Sequence, residues 1–286
     1  MPELPEVEVL VRGLRDELIG RVIQSVQISK PKMWQGIEST DIIGKKINSI
    51  ERIAKLIVIS LSGGFSILIH LKMTGQLIFV DPSGAKIAGG HPDDQFLANQ
   101  PSKYTHIVFD FDDGSHLYFN DMRQFGYVKV VNTSALLDHK HIATIGVEPF
   151  APEFTFQYLF DALQRRPKTT VKQVLMDQTV IGGIGNIYCD ESLFEAKISP
   201  KRKAASITEI ESGNLHSSII KTLEKGIKYG GTSYKDYVHH NGTKGTMQDH
   251  LQVYRRHGQK CLRCGNIISR TIIGGRGTHF CAECQE

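Results

Sequence analysis

The stretch CLRCGNIISRTIIGGRGTHFCAEC, Cys261 to Cys284, decides how the last part of this 286-residue chain folds. Two Cys-x2-Cys pairs, Cys261/Cys264 and Cys281/Cys284, stand 16 residues apart. Each pair suits a tight knuckle, and together they bring four thiolates to one tetrahedral zinc ion. A four-cysteine set leaves no open coordination position, so the expected cofactor is one structural Zn2+. Between the pairs, Thr271 to Ile273 and Thr278 to Phe280 flank Gly274-Gly275-Arg276-Gly277 and read as a two-stranded hairpin with Arg276 at its tip. An Arg there is placed to enter a groove, although without further context it reads as an ordinary exposed turn residue. The last ~36 residues are too few for a core of their own, which is why they need the metal.

Upstream of the cysteines the pattern is helical. The segment Asp177-Gln178-Thr179-Val180-Ile181-Gly182-Gly183-Ile184-Gly185-Asn186-Ile187-Tyr188 ends one helix, turns through glycines and starts another with Asn186 as N-cap. Such a turn lets backbone N–H groups reach an anion, although glycine-rich turns also serve packing alone. Phe156, Leu159, Phe160 and Leu163 fit one helix, Val171, Val174 and Leu175 a second, and Leu215, Ile219, Leu223 and Ile227 a long third. Pro149 and Pro152 mark a linker before them. From Val22 to Val131 the texture is different: short Ile, Val and Phe runs separated by Gly63-Gly64 and Asp113-Gly114, as antiparallel strands in a sandwich or barrel require. Asp81 to Ser102, rich in Pro and Gly, reads as a long mobile loop. Ahead of the strands, Pro5 opens a helix with Val7, Leu10, Val11, Leu14 and Leu18 on one face. The expected fold is α+β in three parts: an N-terminal helix plus antiparallel β-sandwich over 1–133, a helical domain over 134–250, and a zinc hairpin over 251–286.

Hydrophobic residues make up 40% and charged residues 22%, which excludes a disordered or collagen-like chain. No apolar run approaches the ~20 residues of a membrane helix, and MPELPEVEVL carries acids where a signal peptide is basic, so the chain is expected in the cytoplasm. Net charge is only +4, but it is unevenly spread. Arg165, Arg166, Lys168 and Lys172, then Lys197, Lys201, Arg202 and Lys203, form basic clusters that suit a polyanion or simply a solvated surface. The amino end has its own chemistry. Methionine before a small residue such as Pro2 is normally removed, which exposes a secondary amine with a pKa near ~8. Attack by such an amine on an aldehyde-like sugar carbon gives an obligatorily cationic iminium, with Glu3 beside it to move protons and Glu6 to orient the terminus. The residues alone also admit a plain helix-capping tail. Cys189, the fifth cysteine, reads as a small buried apolar residue.

Met1-Pro2-Glu3-Leu4-Pro5-Glu6-Val7-Glu8, the Gly182-to-Glu191 turn and helix, and the four-cysteine hairpin with Arg276 occur in the same order in the bacterial formamidopyrimidine-DNA glycosylases, which this chain resembles over its whole length. The resemblance implies an N-terminal β-sandwich with a helix-two-turns-helix domain and a zinc finger. It also implies a base excision repair enzyme that removes oxidised purines, 8-oxoguanine and formamidopyrimidines, from double-stranded DNA and cuts the strand at the abasic site. By the same resemblance Pro2 is the nucleophile at sugar C1′ and Glu3 the acid/base. Lys55, in Arg52-Ile53-Ala54-Lys55, moves a proton and contacts phosphate in β-elimination, and Arg276 grips phosphates for δ-elimination. Met73, Arg123 and Phe125 fill the hole left by the extruded base, and Asn186 binds phosphate. A monomer acting at the bacterial nucleoid is implied.

Some positions depart from the family pattern. Tyr104 stands where many members have His, and Pro167 where a DNA-contacting Lys is frequent, with Lys168 as its substitute. Lys72 and Gln124 are altered neighbours of the hole-filling set, and the 81–102 insertion is long. Two other functions fit the same frame. An endonuclease VIII-like enzyme would share the mechanism and take oxidised pyrimidines, whereas Leu4 and the Met73, Arg123, Phe125 set favour purines. A non-catalytic damaged-DNA binding protein would need neither the amine nor the acid.

Overall fold

The computed structural model describes residues 1–90, 99–232 and 245–286. The chain forms two compact units, residues 1–143 with 229–248, and residues 144–228 with 249–286. The first begins with α1 (Leu4–Leu18), whose first turn holds Pro5 and whose buried face is the expected one, Val7, Leu10, Val11, Leu14 and Leu18. Among the described residues ten strands follow: β1 (Ile23–Ile28), β2 (Trp34–Gly36), β3 (Ile47–Ile53), β4 (Leu56–Leu61), β5 (Phe65–His70), β6 (Gly75–Val80), β7 (Lys86–Gly90), β8 (Thr105–Phe111), β9 (His116–Asp121) and β10 (Tyr127–Asn132).

They make two five-stranded sheets, in the orders β1-β8-β9-β6-β7 and β2-β10-β5-β4-β3. Ile67 and Ile69 of β5, Ile57 and Ile59 of β4, and Leu77, Phe79, Phe109 and Phe119 of the other sheet enter one core, which the apolar face of α1 joins. Burying each such side chain contributes about 1.5–3 kcal/mol. Leu68 points the other way, onto Ile142 of the short α2 (Lys140–Ala143), so β5 is apolar on both faces and reads as a continuous run.

Asp81 to Ser102 is not a loop throughout. Lys86–Gly90 pairs antiparallel with β6, from Gln76↔Gly90 to Val80↔Lys86. A Cβ on Gly90 would lie 2.3 Å from the Gly75 carbonyl oxygen, so this glycine serves close backbone approach inside a strand. Residues 91–98 of the insertion, Asp93 and Asp94 among them, lie outside the described residues.

The second unit contains α3 (Phe156–Gln164), α4 (Val171–Met176), α5 (Asn186–Glu195), α6 (Glu209–Lys228) and the hairpin of β11 (Ser269–Ile273) and β12 (Arg276–Phe280). Thr155 and Thr170 cap α3 and α4 with their hydroxyls. α6 crosses α5 where Gly226 faces Tyr188, whose buried ring leaves no room for a Cβ. Val253, Cys261, Ile268 and Cys281 pack with Phe194 of α5, so the cysteine hairpin borrows its core from the helices. Among the described residues, no helix is long and apolar enough to cross a membrane.

Candidate functional site

The residues singled out from the sequence fall into two groups, one in each unit. In the first, Pro2 and Glu3 precede α1 and are buried, with Glu3 as the N-cap. Glu6 fastens this end. Its Oε2 accepts from the Glu3 N–H at 2.8 Å, and its Oε1 accepts from the N–H and hydroxyl of Thr232 at 2.8 and 3.0 Å. A carboxylate in the first turn also suits the positive end of the helix dipole.

Lys55 sits on the turn from β3 to β4, only 6% exposed, behind Ala54 with φ 52°. The turn is held from α1. Arg52 donates to Glu8 at 2.8 Å and to the Ala54 carbonyl at 3.0 Å, and Arg15 donates to the Ile50 carbonyl at 3.1 and 2.9 Å. Burial raises the Glu8 carboxyl, but Arg52 and Arg12 outweigh it and hold the group below its ordinary value. One helix thus carries Pro2 and Glu3 at its start and, one turn later, the carboxylate that anchors the Lys55 turn.

Met73 and the Arg123–Phe125 pair lie on two loops that carry the chain between the sheets, β5 to β6 and β9 to β10. The registers Gly75↔Asp121 and His70↔Tyr127 put these loops side by side. Met73 is 43% and Phe125 54% exposed, against the expectation from type that both belong in a core. Arg123 joins them: its Nη1 lies 3.2 Å from the Met73 sulfur, and its guanidinium lies 4.7 Å from the Phe125 ring centre. Lys72 and Gln124, beside them, have φ of 49° and 55°. Burial lowers the Lys72 ammonium from its ordinary value. Tyr104 is half-buried before β8, with Lys103 over its ring at 5.0 Å, and its carbonyl accepts from Asp121 at 3.0 Å.

In the second unit, Asn186 is the first residue of α5 and not its N-cap, which is Gly185. Its side chain is used otherwise: Nδ2 donates to the Gly277 carbonyl at 2.9 Å and Oδ1 accepts from Lys172 at 2.7 Å. Lys172 is fully buried with Asp190, 2.6 Å away, and Asp190 also accepts from the His279 N–H at 2.8 Å. Breaking such a pair costs about 3–5 kcal/mol, and here it would loosen helix and hairpin together. The neighbouring Glu191 accepts three N–H groups, from Gln252, Val253 and Tyr254. Burial and Asp190 push its carboxyl up while those donors oppose them. The sequence groups Lys172 with a basic cluster for a polyanion or a solvated surface, but the structure buries it against Asp190, a pairing that spans 18 residues and is hidden in the core.

Arg276 is exposed and pairs with Ile273 across Gly274 and Gly275, whose φ of 55° and 73° make the two-residue hairpin turn. Lys168 is exposed after α3, and its carbonyl accepts from Lys203 at 3.0 Å. The four cysteine sulfurs all lie within 4.8 Å of one another, with Cys264 to Cys281 at 3.5 Å and Cys261 to Cys284 at 4.0 Å. Ligands of a tetrahedral zinc with bonds of ~2.3 Å stand about 3.8 Å apart, so the set fits that ion and not disulfides. Burial and the other three sulfurs push the Cys284 thiol up to about 12. Cys261 falls to about 7 because the Cys264 and Arg263 N–H groups outweigh its burial.

Three family models match successive parts of the chain: the formamidopyrimidine-DNA glycosylase N-terminal domain over residues 1–128, its H2TH domain over 145–238, and the zinc finger found in FPG and IleRS over 258–286. The formamidopyrimidine-DNA glycosylase of Pelotomaculum thermopropionicum is 40% identical over 290 residues, covering 100% of this chain and 99% of that protein. A Lactococcus lactis FPG mutant, solved in complex with Fapy-dG containing DNA, superposes with a TM-score of 0.87 at 34% identity over all of both chains. The Lactococcus lactis Fpg in complex with abasic site containing DNA gives 0.87 at 34% over 99% of each. With its domains, its cysteine set and its full length all matched in order, the chain belongs to the formamidopyrimidine-DNA glycosylase family.

Proposed function

We propose that the protein excises oxidised purines, 8-oxoguanine and formamidopyrimidines, from duplex DNA through the amine of Pro2, and then cuts the strand at the abasic site by β,δ-elimination. As a member of its family it is a base excision repair glycosylase with AP lyase activity, acting on DNA and built around a structural zinc. What this chain adds is the distribution of the chemistry over its own residues. The Pro2 nitrogen, freed by loss of Met1, attacks C1′, and the bond from C1′ to the base nitrogen breaks with its electron pair leaving on the base. Glu3 protonates the ring oxygen as the sugar opens, leaving the iminium. A proton lost from C2′ then expels the 3′ phosphate, and a second elimination expels the 5′ phosphate. Water finally releases the sugar remnant and restores the amine.

Lys55 and Arg276 are the cations for the two phosphate leaving groups, and Asn186 and Lys168 hold neighbouring phosphates. Met73, Arg123 and Phe125 occupy the space of the extruded base, whose unstacking costs about a few kcal/mol. Tyr104 has a hydroxyl to offer a phosphate. We keep 1–133, 134–250 and 251–286 as the catalytic, DNA-gripping and finger segments, and place the enzyme in the cytoplasm at the chromosome.

The observation that carries this reading is the buried Pro2-Glu3 start of α1, braced by Glu6, on the same helix whose Glu8 anchors the Lys55 turn. A tail serving only to cap a helix has no need of a buried acid, nor of a helix anchored to the turn that buries Lys55. To test it, the protein is incubated with a duplex carrying 8-oxoguanine opposite cytosine, borohydride is added, and any covalent adduct is mapped by peptide sequencing. An adduct on Pro2 is expected. Tight binding with no adduct would overturn the assignment, and an adduct formed only with oxidised pyrimidines would move the enzyme to the endonuclease VIII type.

A further inference from the structure

The Met73 loop and the Arg123 loop are far apart in sequence, yet a wedge and an arginine that fill one gap must keep a fixed spacing. Beneath them lies Asp121, the last residue of β9, with no exposed surface. Its Oδ1 accepts from the Thr74 hydroxyl, next to Met73, and from the Arg123 N–H at 3.1 Å. Its Oδ2 accepts from the Gly126 N–H at 2.7 Å, next to Phe125. The Arg123 N–H is shared with the Thr74 oxygen at 3.0 Å. The backbone of Asp121 is pinned as well, by the Tyr104 carbonyl at 3.0 Å and by His106, whose Nε2–H donates to the Asp121 carbonyl at 2.8 Å.

We propose that Asp121 is a positioning residue that sets the spacing of Met73 against Arg123 and Phe125, and through it the enzyme's discrimination of the base opposite the lesion. The inference rests on the assignment of those three side chains to the vacated space in the duplex. The chemistry calls for a carboxylate. Three donors converge on one side chain, and only a group with two accepting oxygens and no donor satisfies them all; an amide would turn an N–H toward another N–H. Among the described residues, hydroxyl and backbone donors meet this carboxylate, not a cation. Both loops also carry a non-glycine residue at positive φ, Lys72 and Gln124, a conformation that persists where surrounding bonds over-determine it. Gly126 leaves no slack, since a Cβ there would lie 2.8 Å from Phe119 and 3.1 Å from Asp121 Oδ2. Above it, Arg123 touches the exposed Met73 and Phe125, and the bonds to Asp121 hold the backbone that carries all three.

The test compares wild type with Asp121→Asn, Thr74→Val, Thr74→Ser and Arg123→Ala. Single-turnover excision of 8-oxoguanine is measured opposite cytosine and opposite adenine, together with borohydride trapping on a single-stranded abasic oligonucleotide, which has no opposing base. Asp121→Asn and Thr74→Val are expected to slow excision opposite cytosine about tenfold and to narrow the cytosine-over-adenine preference, with single-strand trapping within about twofold of wild type. Thr74→Ser, which restores the hydroxyl, is expected to recover the preference. If Arg123→Ala leaves the preference unchanged, the void-filling assignment fails and takes this inference with it. If Arg123→Ala narrows the preference while Asp121→Asn and Thr74→Val do not, the role of Asp121 alone is overturned. A parallel fall in all three readouts would reduce Asp121 to a structural part, and Thr74→Val decides the matter should Asp121→Asn not fold.

Discussion

Glu211 shows how much a single side chain can settle locally. Its carboxylate accepts from Nη1 and Nη2 of Arg202 and from the Thr208 N–H and hydroxyl, while its own N–H donates back to the Thr208 oxygen. The Arg202 bond, acting against some burial, lowers its carboxyl from 4.5 to about 2. A depressed carboxylate stabilises the native state above the unfolded value and loses that contribution as pH falls through the folded one. The melting temperature of Glu211→Gln should therefore lie below wild type at pH 7, with the gap closing between about pH 4.5 and 2; a gap constant down to pH 2 would contradict this account. Legibility in the sequence follows the same division between near and far. The four cysteines could be picked out because residue type and short spacing carry their chemistry, whereas Pro2 and Glu3, an amine beside an acid, read from the residues alone equally as a helix-capping tail. The roles of Asp121 and Lys172 could not be picked out, since each gains its meaning from partners that only the folded chain supplies.

For whole elements, spacing was the reliable signal and glycine the misleading one. The stripe of α1, the long α6 and the cysteine hairpin all follow from periodicity and the Gly274-Gly275 turn. The strand Lys86–Gly90 was hidden because Gly89 and Gly90, placed there for backbone approach to β6, look like loop residues, and Asn186 reads as a cap in the sequence because its bond to Gly277 of the hairpin spans 91 residues. Within α6 two glycines do opposite things. A Cβ at Gly226 would meet the Tyr188 ring at 2.4 Å, whereas one at Gly213 would meet nothing within 4 Å. Gly226→Ala should destabilise by about 1–3 kcal/mol through overpacking, and Gly213→Ala should stabilise by about 0.5–1 kcal/mol through helix propensity. Denaturant midpoints distinguish them, and equal shifts would mean that the α5–α6 contact is looser than described.

At the scale of the molecule, the metal and the chain path matter most. Removing zinc with a chelator should unfold the hairpin, expose Phe194 and weaken DNA binding by at least about tenfold, as limited proteolysis of the hairpin and a gel shift would record; a chelated, metal-free sample that still cuts DNA normally would make the finger dispensable. The order of units along the chain was only partly visible from composition. The described residues 229–232 and 245–248 group with the first unit although they follow the helices of the second, and nothing in their polarity announces it. That arrangement has a consequence for how the protein is made. The amino end leaves the ribosome first, but Glu6, which steadies it, waits for Thr232, 226 residues later. At ~5–20 residues per second that is about ten to fifty seconds of translation. A nascent chain stalled before that point would carry its amino terminus on a half-braced helix, so newly made protein seats that terminus fully only once Thr232 has emerged.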